Sequence, residues 1–558
     1  MKKRILFVSG LLICLAGMVV WRLVEVQILQ RDLWSTRARS MHKRKVEIQP
    51  DRGLIFDRDG RSLAMNTKGF DIAIDSMDMT KPEILVDILS EELNRGKEEI
   101  RSLIYRKSYF TWISRGVGYE IGRSIRNRAN EMGVQGLIFM DSSRRLYPRN
   151  ELAGNILGFT GVDGQGLAGV EYSMDQRLIG KKTVKNIMYG ADRSAYREKI
   201  LEEGRPGYDI YLTLDTTFQY ITREALQWGV KKFRAKGGWA VVMDPDTGKV
   251  LAMSQDQVYD PNRYYRYDPG DRRIKPVSYT FEPGSILKVF TGLAALENGV
   301  VDPGTMVNGD SPVKVANHRV SNALYRDWGA VTFSEVLEHS INTGIIRIAR
   351  KLGESRLYSF LSDVGFGREV GIELPGEESG KLRPLSQWSK LAIGSIPIGQ
   401  SISVTSIQLA SKMAAVANGG RIVYPTIVDK IVDPRGEEIY LPSPPTEKIA
   451  SSESINQMKD ILRKVVKDGS GQNADIPGWE VCGKTGTAQK ARPTGGYYDN
   501  RYISSFAGFF PKGEPDYLIL VVLNEVGTEP VWGGETAAKV FKRIGEKIIA
   551  LPETEVPP

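Results

Sequence analysis

The stretch GWEVCGKTGT, Gly478 to Thr487, satisfies two incompatible patterns. Its first eight letters fit G-x-x-x-x-G-K-[ST], the phosphate-binding loop of nucleotide-binding α/β proteins. Its last five, GKTGT, suit a strand that presents a lysine and two hydroxyls. A phosphate loop needs a buried strand before it and a helix after it, because helix amides and the helix dipole hold the phosphates. The preceding residues, KDGSGQNADIPG, form a polar, turn-rich run. In the following TGTAQKARPTGG, Gly486, Pro493, Gly495 and Gly496 leave little room for a helix. Downstream, YLILVVLN ends in Asn524 where a magnesium-binding Asp is required, and WAVVMD lies on the wrong side of the lysine. Read as a strand, Trp479, Val481 and Gly483 alternate with Glu480, Cys482 and Lys484. Gly486 has no side chain, so a ligand backbone is expected to approach the sheet edge there. The cation, hydroxyls and amides of such a strand suit a carboxylate and an oxyanion, and no nucleotide is expected to bind.

The neighbouring patterns build a sheet around this strand. Tyr211–Leu214 reads as a short strand leading into a helix, TTFQYITREALQWGVKKF. GWAVVMDPDTGKVLAM reads as a hairpin turning at Asp244–Gly248. RYISSFAGFFPKGEPDYLILVVLNEVG supplies two further apolar strands, and GGETAAKVFKRIGEKIIAL a terminal helix. Before residue 208 the chain is more polar. DRGLIFDRDGRSLAMNTKGFDIAID breaks at Asp-Gly and Lys-Gly and reads as strands and hairpins, while Pro82–Tyr105 reads as helices. Two short helical pieces are expected among the glycines of Tyr147–Gly180. No catalytic constellation assembles in this part, which reads as a structural or docking module.

At 558 residues the chain has length for about three domains. The net charge of +9 is a mild excess without a basic tail, so nucleic acid is not implied, while an anionic membrane or wall polymer is compatible. Two cysteines, Cys14 and Cys482, give no disulfide framework, and three scattered histidines give no zinc motif. No metal or cofactor is expected. Lys2, Lys3 and Arg4 precede the uncharged run Ile5–Trp21, which with Leu23 and Val24 suits a single retained membrane anchor. Arg22, Arg31, Arg37, Arg39, Lys43, Arg44 and Lys45 follow it and oppose export of the body by the positive-inside rule, so charge alone leaves orientation open.

The partner of GKTGT is EPGSILKVFTGLAALENG, Glu282 to Gly299. Pro283 and Gly284 start an apolar helix on which Ser285 and Lys288, three apart, share a face. A serine hydroxyl needs a base, and no histidine is placed to serve. Lys288 can serve if burial and a second cation, Lys484, hold it neutral. In VTFSEVLEHSINTGIIRIARKLG, two helices flank a break at Ser340-Ile341-Asn342, whose first and third side chains can point the same way.

Together, Ser285-Ile286-Leu287-Lys288, Ser340-Ile341-Asn342 and Lys484-Thr485-Gly486 resemble the S-x-x-K, S-x-N and K-T-G set of penicillin-binding proteins and serine β-lactamases, in the family order. Arg52-Gly53, Asp57-Arg58, Gly60 and Leu63-Ala64 resemble the start of the non-catalytic pedestal of class B, monofunctional members. GFTGVDGQGLAGVE and GQSISVTSIQLA also resemble that class. The resemblance implies an α+β chain in three parts. These are an anchor and juxtamembrane segment at 1–40, a mostly-β, elongated pedestal at 41–208, and a transpeptidase domain at 209–558 with an antiparallel sheet flanked by helices. It implies no glycosyltransferase domain ahead of the pedestal.

It further implies a serine D,D-transpeptidase acting at the D-Ala-D-Ala bond of peptidoglycan stem peptides and acylated by β-lactams. Ser285 is the implied nucleophile, Lys288 its base, Ser340 a proton relay and Asn342 an orienting amide. Lys484 supplies positive potential, Thr485, Gly486 and Thr487 form the carboxylate and oxyanion region, and the amides of Ser285 and Thr487 form the oxyanion hole. Because this substrate is extracytoplasmic, the N-terminus is expected inside and the body outside. YPRNELAGNILGFTGVDGQGLAGVE resembles the division type, whose expected partner is a polytopic glycosyltransferase of the FtsW kind, with other division proteins. Elongation- and sporulation-type enzymes, a D,D-carboxypeptidase or β-lactamase-like hydrolase, a β-lactam sensor and a non-catalytic scaffold are the alternatives. No Glu-x-x-x-Asn motif stands between Asn342 and Lys484 to hold a hydrolytic water in the manner of class A β-lactamases.

Overall fold

In the computed structural model, the described residues are 1–34, 43–106, 108–189, 195–442, 446–492 and 495–552. The cationic positions Arg37 and Arg39, Pro493 and the tail beyond residue 552 lie outside them. The chain forms two compact units.

The first unit comprises residues 1–52 and 179–207. Helix Lys2–Val24 is the one helix among the described residues that is long and apolar enough to cross a membrane. Its 23 residues rise roughly 35 Å, enough for a ~30 Å hydrocarbon core. The unit also holds an antiparallel sheet in the order Lys43–Ile48, Thr183–Tyr189, Ala195–Glu202.

The second unit comprises residues 53–178 and 208–558. Its N-terminal part centres on the long strand Ser62–Asp75, paired antiparallel with Phe110–Gly118 on one edge and Leu137–Leu146 on the other. Helices Pro82–Leu93, Lys97–Ile104 and Tyr119–Glu131 cover this sheet, packing Leu85, Leu89, Ile100 and Ile125 onto Ile72 and Ile74. Two details differ from the sequence reading. Lys68-Gly69 is no turn, because the strand runs straight through it. Gly69 is there because a Cβ would lie 2.6 Å from the carbonyl of Val117 on the adjacent strand. Tyr119–Glu131 was legible only as polar chain, since its apolar stripe is narrow, yet Gly122 lets Phe70 press against the helix.

The C-terminal part carries the sheet anticipated around GKTGT. Its strands are β1 (Gly237–Met243), β2 (Val250–Gln255), β3 (Cys482–Ala491), β4 (Tyr497–Phe510) and β5 (Tyr517–Asn524). The order β2-β1-β5-β4-β3 is antiparallel throughout and leaves β3 at an edge. Successive residues serve opposite cores. Ala240, Val242, Phe506, Ile519 and Val521 face helices α1 (Thr216–Lys232) and α6 (Ala537–Ile549). Trp239, Val241, Ala507, Leu518 and Leu520 belong to the larger core built with α2 (Leu287–Glu297), α3 (Asn342–Leu352), α4 (Ser406–Ala417) and α5 (Ser452–Lys467). With both faces covered, the strands read as continuous apolar runs.

The β3 strand begins at Cys482, three residues later than the alternation from Trp479 implied. Glu480 has a positive φ, which breaks extended pairing just ahead of it. After Lys484 the chain continues as strand and turns back into β4, with no helix for a phosphate. Helix α2 is buried on every side from Leu287 to Leu296, so its lysine is enclosed as well.

The packing of α6 on the sheet is testable through Phe541, which is fully buried with its ring 4.7 Å from that of Phe506. Phe541→Ala is expected to cost about 3–5 kcal/mol, read as a lowered denaturant midpoint. A change under about 1 kcal/mol would contradict this packing.

Candidate active site

Ser285 lies in a single 3-10 turn, Gly284–Ile286, that leads directly into α2. The turn is fixed from two sides by backbone. The Gly284 amide donates to the Gly399 carbonyl at 3.1 Å, and Phe281 and Val404 exchange both backbone hydrogen bonds at 2.9 Å. On the other side β3 presses against it. A Cβ on Gly486 would overlap Ser505 Oγ and stand 2.9 Å from the Pro283 carbonyl. Gly486 therefore makes room for the turn that carries the serine. The sequence predicts close approach of a ligand backbone along this edge; at Gly486 itself the backbone in close approach is the protein's own, at Pro283.

One turn on from Ser285, the Lys288 amine meets three oxygens: the Ser340 carbonyl at 2.6 Å, Ser340 Oγ at 3.0 Å and Asn342 Oδ1 at 2.7 Å. Ser340 reaches it with both groups because it adopts a left-handed conformation, φ 59°, after helix Phe333–Glu338 ends. Such a φ is uncommon for a residue other than glycine and is held here by the surrounding packing. The Asn342 amide is oriented by its own NH2 group, which donates to the Ser321 carbonyl at 3.0 Å. Asn322 secures the start of α3 by accepting from the Thr343 amide at 3.0 Å.

Lys288 and Lys484 are both fully buried. Burial, and secondarily the positive charge of Lys484, pushes the Lys288 amine well below the usual lysine range. Burial alone lowers Lys484 to about 7. Lys484 makes only long contacts, 3.3 Å to Thr485 Oγ1 and 3.4 Å to the Thr485 carbonyl. Thr485 Oγ1 also lies 3.1 Å from Ser470 Oγ. Thr487 Oγ1 accepts from the Gly533 amide at 3.0 Å, which leaves its own proton free to donate. Ser285, Ser340, Asn342 and Thr487 are partly exposed around the enclosed amines.

The eight anticipated residues therefore come together in one place. A partly exposed hydroxyl lies one helical turn from a buried amine able to be neutral, next to a strand edge carrying a second amine and two hydroxyls. Such a set can deprotonate a serine and hold an acyl substrate with a terminal carboxylate. The sequence reading missed Ser321, Asn322, Ser470 and Gly533. Only the pairs Ser470-Gly471 and Gly533-Gly534, both marks of tight backbone, hinted at the last two.

Residues 238–546 match the family model described as penicillin binding protein transpeptidase domain, and residues 47–212 that of the penicillin-binding protein dimerisation domain. Stage V sporulation protein D of Bacillus subtilis is 31% identical, over 100% of this chain and 86% of its own length. Peptidoglycan D,D-transpeptidase FtsI of Buchnera aphidicola is 29% identical, over 98% of this chain and 95% of that protein. The crystal structure of apo penicillin binding protein 3 from Mycobacterium tuberculosis superposes with TM-score 0.70 at 27% identity, covering 92% of this chain and 98% of that one. Penicillin binding protein 2X of Streptococcus thermophilus, at 22% identity and TM-score 0.74 over 92% of this chain and 81% of that one, shares the fold.

Because Gly486 sets the distance between β3 and the Ser285 turn, Gly486→Ala is expected to slow acylation of Ser285 by labelled penicillin about tenfold or more while the circular dichroism spectrum is retained. Acylation at the wild-type rate would contradict the contact.

Proposed function

The chain belongs to the penicillin-binding protein family, and from that premise we propose that it is a serine D,D-transpeptidase that cross-links peptidoglycan stem peptides. The observation that carries the reading is the enclosed Lys288 amine, one turn from Ser285 and held by Ser340 and Asn342. Ser285 Oγ attacks the carbonyl of the penultimate D-Ala while neutral Lys288 takes its proton. The amides of Ser285 and Thr487 receive the developing oxyanion; losing one such donor typically costs ~3 kcal/mol of barrier. Lys484, Thr485 and Thr487 hold the terminal carboxylate. Ser340 relays the proton to the departing D-Ala nitrogen, and an acyl-enzyme on Ser285 remains. The amine of a second stem peptide then displaces Ser285 and forms the cross-link. A β-lactam enters the same path and stops at the acyl-enzyme.

The substrate lies outside the cytoplasmic membrane. We therefore place residues 1–4 inside, the stretch Ile5–Val24 of the helix Lys2–Val24 across the membrane, and the remainder outside. The parts serve as anchor and juxtamembrane segment at 1–40, pedestal at 41–208 and transpeptidase domain at 209–558. Septal wall synthesis is the cellular role we favour, supported by the likeness to FtsI over nearly the whole chain. Its partners on this reading are an FtsW-like polytopic glycosyltransferase and other division proteins, met through the anchor and pedestal. A sporulation role is the second reading, supported by the match to stage V sporulation protein D over all of this chain and 86% of that protein.

Full-length protein in detergent is expected to form a long-lived penicillin adduct on Ser285, seen by mass spectrometry, and Ser285→Ala is expected to form none. Rapid turnover of penicillin to its hydrolysed product would replace the transpeptidase with a hydrolase.

A further inference from the structure

A cavity of about 510 Å³ continues the active-site edge of β3. Gln489, Lys490 and Ala491 of that strand line it on one side, and the segment from Lys381 to Trp388 forms the facing rim. The rim is rigidly tied to the nucleophile turn. Lys381 and Ser403 exchange backbone hydrogen bonds at 2.8 and 3.1 Å, and the next residue, Val404, pairs with Phe281. Two steps of backbone pairing, each roughly 4.8 Å, thus separate Lys381 from the chain that enters the Ser285 turn. The Trp388 indole N–H donates to the Arg383 carbonyl at 2.9 Å and closes the rim loop on itself.

The charge of the cavity is lopsided. Lys381 and Arg383 are exposed, two residues apart in extended chain, while Leu382 between them packs on the core. Their side chains therefore share the outer face. Lys490 pairs with Glu525 at 2.6 Å, a carboxylate that Lys236 also reaches at 2.8 Å. Among the described lining residues Glu282 is the one carboxylate, set against the three cations Lys381, Arg383 and Lys490. Its Oε1 accepts from the Ser401 amide and the Tyr497 hydroxyl, its Oε2 is buried, and burial raises its pKa. Two cations thus face the cavity from the rim, where a concave wall concentrates their field.

On the transpeptidase reading, an extended donor peptide with its terminal carboxylate at Thr485 and Thr487 is taken to pair antiparallel with the free edge of β3. Gln489 and Ala491 then lie roughly 7 and 13 Å beyond Thr487, at about 3.3 Å per residue. Residues two to four places ahead of the scissile bond reach the cavity. We propose that Lys381 and Arg383 form a subsite for a carboxylate on the donor stem peptide upstream of the scissile bond, so that the enzyme prefers donors in which this carboxylate is free over those in which it is amidated. The proposal rests on the transpeptidase reading and adds a substrate preference to it.

The test uses full-length protein in detergent and two thioester analogues of a stem peptide, identical except for a free or amidated upstream carboxylate. The free acid is expected to acylate Ser285 about fivefold faster at low salt. The ratio is expected to approach one in high salt and in the double variant Lys381→Gln/Arg383→Gln. A ratio of one in the wild type, with penicillin still acylating Ser285, overturns the subsite and leaves the transpeptidase reading standing. A ratio that survives in the double variant overturns the assignment to Lys381 and Arg383. Failure of both peptides and of penicillin to acylate Ser285 overturns the transpeptidase reading and the subsite with it.

Discussion

Two lysine amines, Lys288 and Lys484, are enclosed in one site, and among the described residues no carboxylate is a hydrogen-bond partner of either. An ammonium taken out of water without a counter-charge costs several kcal/mol, and two together add repulsion. The cheaper arrangement is to surrender a proton. Burial thus does for a lysine what imidazole does unaided in other hydrolases and transferases. It supplies a base that is free near neutral pH. The hydrogen bonds to Ser340 and Asn342 then fix where that base points. The positive charge of Lys484 adds to the burial of Lys288, so removing that charge moves the Lys288 amine back toward the ordinary lysine range.

The rest of the molecule holds this pair in place. Helix α2 is apolar all round and sealed between neighbouring helices and the sheet, which removes water from Lys288. The β3 edge brings Lys484 up to the same space. It can do so because Gly284, Gly399 and Gly486 let three backbones meet without side chains between them. One edge of β3 is consumed by β4, while its other edge stays available to an extended peptide beside the Ser285 turn. Chemistry and substrate alignment therefore share one structural element.

Much of this was legible in the sequence where the determinants are local. The helix Thr216–Lys232, the hairpin across Asp244–Gly248 and the three motifs each carry their signal within a few residues. The spacing of Ser285 and Lys288 needs only one helical turn to become a contact surface. The illegible parts depend on distant chain. Cys482 starts the strand because Glu480 breaks it, and Gly69 is glycine because of Val117. Ser321, Asn322, Ser470 and Gly533 enter the site through hydrogen bonds to residues 15 or more positions away, which no local pattern announces. The phosphate-loop match failed for the converse reason. Its letters were present, but the flanking chain was committed to another sheet.

The base assigned to Lys288 is tested most directly by the pH dependence of penicillin acylation at Ser285. A lysine whose pKa is lowered by burial loses its proton well below the ordinary range near 10.4, so its base form is lost only as pH falls through that lowered value. The second-order acylation rate is therefore expected to be level across neutral and mildly alkaline pH and to decline on the acid side. A rate that climbs log-linearly through mildly alkaline pH toward the ordinary lysine range would show Lys288 still protonated there and would contradict the account.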